Sequence, residues 1–81
     1  KNLYLHNNNI TDIKENTFAG LNALHRLFLY NNEITDIKEN AFAGLNALTE
    51  LDLYNNNLTQ QQQDTIKAEL QSTAPTASMR F

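Results

Sequence analysis

The chain has 81 residues, no cysteine and a formal net charge of −3. This excludes a disulfide framework and a thiolate zinc site, and argues against a nucleic-acid surface, which would be basic. At this length one domain is the ceiling, with a core worth only about 3–5 kcal/mol unless something adds to it. Apolar runs never exceed a few residues, so no segment reads as a membrane span and no membrane partner is expected. The missing cysteine fits a reducing compartment. No secretory leader is legible. Lys1 falls inside a repeat, which points to a fragment or a processed chain.

The first element, Asn2–His6, alternates apolar Leu3 and Leu5 with polar neighbours, the pattern of a strand with one buried face. A polar bend follows, and then Phe18, Leu21 and Leu24, spaced by three as on a helical return. The same sentence is then repeated. Leu3–Leu24 and Leu27–Leu48 agree at 18 of 22 positions, and differ only at Tyr4/Phe28, His6/Tyr30, Asn9/Glu33 and Thr17/Ala41. A third copy begins at Leu51 as LDLYNNNLT and then departs. No single copy can bury its own apolar residues, whereas stacked copies can, each Leu, Ile and Phe landing over its equivalent. Phe18 and Phe42 are expected as a stacked core pair. Gly20 and Gly44 suit a tight bend.

The third copy gives way to Thr59-Gln60-Gln61-Gln62, a capping-box spelling, and then to good helix formers through Ser72. Ile66, Leu70 and Ala74 form a narrow apolar stripe, and Pro75 ends the helix. The stripe is expected to cover the last apolar layer, with the glutamines, Asp64, Lys67 and Glu69 in water. Four glutamines are too few for an aggregation tract. The tail, Thr76–Phe81, shows no pattern and is expected to fray. A fold-back of Met79 and Phe81 onto apolar surface is the alternative.

The spelling LxxLxLxxNxIxxIxxxxFxxL runs from Leu24 to Leu45. It resembles the leucine-rich repeat family, in the 24-residue class shared by Toll-like receptors, variable lymphocyte receptors and bacterial leucine-rich repeat proteins. The resemblance covers residues 2–59. It implies an α/β repeat fold, a short solenoid arc with a parallel β-sheet on its concave face, closed here by a C-terminal capping helix. The organisation expected is repeats over 1–59, the helix over 60–74 and a tail over 75–81. The resemblance also implies that Asn8, Asn32 and Asn56 turn inward and bond backbone groups of neighbouring turns. It places protein partners on the concave sheet. The lack of cysteine-rich flanks points to a bacterial or intracellular member rather than an animal receptor ectodomain.

If Leu3 and Leu5 point inward, their neighbours point outward. Three columns result, about 4.8 Å apart: Asn2/Arg26/Glu50, Tyr4/Phe28/Asp52 and His6/Tyr30/Tyr54. Tyr4, His6, Arg26, Phe28, Tyr30, Glu50, Asp52 and Tyr54 are therefore the candidate protein-binding residues. Aromatics with an arginine are the composition of interface hot spots, and aromatics also simply suit strands. The differences between copies fall mostly on this face or its rim.

No enzyme is expected: there is no nucleophile motif, and Ser72 and Ser78 lie in the helix and tail. Glu50 and Asp52 are two apart on one strand without an orienting partner. His6 and His25 occupy different slots, so neither a metal nor a cofactor is expected. Asn9-Ile10-Thr11 and Asn57-Leu58-Thr59 match the glycosylation sequon, a pattern that the repeat's own consensus generates. Two further functions compete with partner binding. One is self-assembly through the uncapped N-terminal edge strand. The other is service as the recognition segment of a larger bacterial effector enzyme.

Overall fold

A computed structural model describes residues 1–81. Its elements in chain order are strands β1 (Asn2–Tyr4), β2 (Asp12–Ile13), β3 (Arg26–Phe28), β4 (Asp36–Ile37) and β5 (Glu50–Asp52), helix α1 (Gln60–Thr73) and strand β6 (Ser78–Arg80). One sheet is parallel, in the order β1-β3-β5-β6; β2 and β4 pair separately. Leu3 pairs with Leu27 and Leu27 with Leu51, so equivalent leucines lie in register. That register puts each apolar side chain over its copy. Leu27, Leu29, Ile34, Phe42, Leu45, Leu51, Leu53 and Leu70 are fully buried, each contributing roughly 1.5–3 kcal/mol of transfer free energy. The rings of Phe18 and Phe42 stack at 5.8 Å, 4° from parallel.

The return segment is not helical, contrary to its three-residue spacing. It is a run of linked turns, in which Ala41, Ala43, Leu45 and Leu48 donate their N–H groups to the carbonyls three residues earlier. Asn16 and Asn40 (φ +56° and +62°) and Gly20 and Gly44 (φ +86° and +85°) interrupt any right-handed helix. Asparagine tolerates the left-handed region and glycine has no Cβ to clash.

Of the three asparagines expected to turn inward, Asn32 and Asn56 bond a neighbouring copy and Asn8 does not. Nδ2 of Asn32 donates to the carbonyls of Leu5 (3.0 Å) and Leu29 (2.9 Å), and its Oδ1 accepts from Ile10 N–H at 3.1 Å. Asn56 repeats the set with Leu29, Leu53 and Ile34. Asn8 bonds only Leu5 and His6 within its own copy. A second, exposed ladder runs beside it: Asn31 donates to Asn7 and Asn55 to Asn31, both at 2.8 Å. These three take φ between +56° and +59°, where the chain turns out of the strand.

Helix α1 starts where Thr59 Oγ1 accepts from Gln62 N–H at 3.2 Å. Ile66, Leu70 and Ala74 are buried in the same core as the repeats. The polar side of the helix departs from expectation. Glu69 is half-buried and accepts from Phe42 N–H at 3.1 Å, and Gln62 reaches Asp36 at 3.4 Å. These side chains take up polar groups of the second repeat where a further copy would otherwise lie.

The tail does not fray. After Pro75 it returns as β6, parallel to β5, with Leu51 opposite Met79 and Asp52 opposite Arg80. Leu53 N–H donates to Arg80 O at 2.7 Å, and Ser78 N–H to Thr49 O at 2.9 Å. Ala77, Met79 and Phe81 pack against the core. The apolar surface beside Leu51 and the open edge of β5 supply the driving force that the local sequence conceals.

On the other side, β2 and β4 put Asp12 in register with Asp36. Lys38 Nζ sits 2.8 Å from Asp36. The hydrogen bond and charge of Asp36, joined by Asp12 and Glu15, hold its ammonium above the ordinary lysine value.

Candidate functional site

The open face of the main sheet carries every residue singled out as a contact candidate. Asn2, Arg26 and Glu50 are opposite one another, as are Tyr4, Phe28 and Asp52. Past the strand ends the parallel pairing continues through Leu5 N–H to Phe28 O and Leu29 N–H to Asp52 O, both at 2.8 Å. This continuation carries His6, Tyr30 and Tyr54 in the next row.

Four of these rings form one cluster. Tyr4 stacks on Phe28 at 5.1 Å and 12°, and His6 on Tyr30 at 4.6 Å and 3°. The two stacks meet edge to face, Tyr4 with His6 at 6.1 Å and Phe28 with Tyr30 at 6.3 Å. Both geometries suit the ring quadrupole, and each pair is worth about 0.5–1.5 kcal/mol beyond burial. Asn2 Nδ2 donates to Tyr4 Oη at 3.0 Å, fixing the outermost ring. Tyr4 nevertheless remains 60% exposed, and Tyr54 48%. His6 Nδ1 is enclosed without a hydrogen-bond partner.

The charged members differ in accessibility. Arg26 Nε lies 3.7 Å from Glu50 Oε1, with both side chains about half exposed. Asp52 stands in the same face but is only 7% exposed. Its Oδ1 accepts from Tyr54 N–H at 2.9 Å. Its Oδ2 lies 3.9 Å from Arg80 Nη1. The guanidinium of Arg80 lies over the Tyr54 ring, 4.5 Å from its centroid. Asp52 is therefore shielded, and Arg80 is what the face presents in its place.

Arg80 is the residue that sequence reasoning missed. The signal was available: Ala77, Met79 and Phe81 alternate with Ser78 and Arg80, the period of a strand. The intervening helix hid it, because Met79 follows Leu51 by 28 residues where the repeats step by 24.

Taken together, the face offers stacked aromatic surface at its centre, with the guanidinium groups of Arg26 and Arg80 and the carboxylate of Glu50 beside it. The Leucine rich repeat family model matches residues 1–58. No curated protein and no solved structure matches the chain. A model that spans most of an 81-residue chain, over the copies whose leucines stack in register, leaves one conclusion: the chain belongs to the leucine-rich repeat family.

Proposed function

We propose that this is a non-catalytic protein-binding module. Its repeats, residues 1–59, form a short solenoid arc with the main sheet on the concave side. Residues 60–74 close the stack and the tail, 75–81, completes the sheet. The partner is a protein that docks on Tyr4, His6, Arg26, Phe28, Tyr30, Glu50 and Tyr54, with the shielded Asp52 contributing through Arg80 rather than by direct contact. One observation carries this reading. The core is complete without the aromatic cluster, yet Tyr4 and Tyr54 stay exposed beside ordered stacks of rings. Rigid aromatics that give area at low entropic cost dominate binding energy in interfaces. The test places a photo-crosslinking residue at Tyr54, and at Lys14 on the return as control. The expected result is a partner trapped only from Tyr54, whose affinity for the purified chain falls at least about tenfold in Tyr30→Ala/Tyr54→Ala. Undiminished affinity in that folded double variant would remove the assignment.

Self-association through β1 is the second reading. Leu3, Leu5 and Ile10 are only half-buried, whereas Leu27, Leu29 and Ile34, their equivalents, are fully buried. An unpaired edge over such a surface invites another strand. Sedimentation that shows growth with concentration, abolished by Leu3→Lys, supports this reading. A monomer at the highest attainable concentration refutes it.

A further inference from the structure

The geometry points to Arg80 as an anion-reading element of the binding face, one that selects a partner segment carrying a carboxylate side chain next to an apolar anchor. This rests on the protein-binding reading above and extends it from a surface to a partner chemistry.

Three observations converge. First, the Arg80 guanidinium is held by a cation–π contact, its Cζ lying over the Tyr54 ring 4.5 Å from the centroid. Such a contact engages the charge of the ion without using up the donor capacity of its N–H groups. Second, those N–H groups have no hydrogen-bond acceptor within the chain. The nearest carboxylate, Asp52, is 3.9 Å away, beyond the range of an N–H···O bond. Third, the two charges differ in access: the Arg80 side chain is 65% exposed, while Asp52 lies beneath it. Asp52 compensates the arginine without competing for the outer edge. Of the Arg80–Asp52 pair, the exposed member is the cation, whereas the exposed Glu50 carboxylate faces Arg26 at 3.7 Å. A planar fork that is held by one ring and lacks an acceptor for its N–H groups matches a carboxylate in bidentate geometry. The neighbouring Tyr54 and Tyr30 rings supply the apolar seat for the anchor.

Phe81 and the helix keep Arg80 in position. Phe81 is half-buried, and the ring lies 5.5 Å from Lys67 Nζ, so the strand is anchored on both sides of the arginine. Met79, the residue before it, packs against the core.

The test uses the full 81-residue chain as bait for a phage-displayed random dodecapeptide library. Peptides are kept when their binding is lost in Tyr30→Ala/Tyr54→Ala, which ties them to the proposed face. The kept set should be enriched in Asp or Glu beside an aromatic or aliphatic residue. A synthetic member should lose at least about tenfold in affinity when its acidic residue becomes the matching amide. It should lose as much against Arg80→Gln, and most of that against Arg80→Lys, which retains charge but not the fork. Unchanged melting of Arg80→Gln shows that the sheet is intact. A kept set without acidic enrichment, or equal affinity of the acid and amide peptides, overturns the role of Arg80 and leaves the face standing. A library that yields no binder dependent on Tyr30 and Tyr54 overturns both.

Discussion

The two ends of the stack are made from the same repeat and have opposite fates. At the first end Leu3, Leu5 and Ile10 are half-buried, and Leu21 is 42% exposed. At the second end Leu51 and Leu53 are as buried as any residue in the middle layer. The side chains are the same, and so is the register. What differs is the neighbour: β6 pairs with β5 and sets Met79 opposite Leu51, while Ile66 and Leu70 of the helix join the same core. A leucine in this fold is therefore buried by its slot and by what stacks on it together. Propensity within the copy decides neither.

Breaking the closed end should have the largest effect. Leu70→Ala removes a fully buried side chain, and a loss of about 2–5 kcal/mol is expected from the urea unfolding midpoint and slope. Leu21→Ala, at the open end, should cost a small fraction of that. Equal costs would mean that the helix does not close the core. The asparagines sharpen the same contrast. Asn32→Ala strips partners from the carbonyls of Leu5 and Leu29 and the amide of Ile10, at a cost of about 1–3 kcal/mol. Asn8→Ala loses two exposed bonds within its own copy and should stay within about 0.5 kcal/mol of the parent.

Thr59→Ala should lower stability by about 1 kcal/mol through the lost cap, with Thr59→Gly milder, as read from thermal melts of the two variants. The smallest effect belongs to the exposed back of the repeats. Lys38→Gln removes the pair with Asp36 and should leave the urea midpoint where it was. The sign of its pH dependence is fixed. The raised lysine pKa means that any contribution is fully present below the ordinary lysine value, and disappears as the pH climbs through the folded value. A loss of stability on Lys38→Gln near neutral pH that exceeds the loss on Thr59→Ala would reverse this ranking.

Much of the molecule was legible because stacking repeats a local rule. Leu3 over Leu27 over Leu51 and the three outward columns follow from a fixed step and strand alternation. The Thr59 cap follows from its local spelling, and the inward Asn32 and Asn56 from the resemblance to the leucine-rich repeat family. What escaped depends on contacts far along the chain. The apolar spacing of the return looks helical, and only the left-handed Asn40 and Gly44 turn it into linked bends. Glu69 reads as a water-facing helix residue until the unpaired Phe42 amide lies opposite. Arg80 belongs to the face only because a helix brings the tail back to β5. Asp52 was legible as a face residue, but its burial under Arg80 was not.

Amide hydrogen exchange followed by NMR tests the closed end and the completed face together. Leu53 donates its N–H to Arg80 O at 2.7 Å, a bond that exists only if the tail is a strand, whereas His6 N–H has no acceptor. The expected result is exchange at Leu53 that is slower by orders of magnitude than at His6, comparable with Leu29 in the middle layer. Exchange at Leu53 as fast as at His6, in a chain whose Leu29 is still protected, would contradict it.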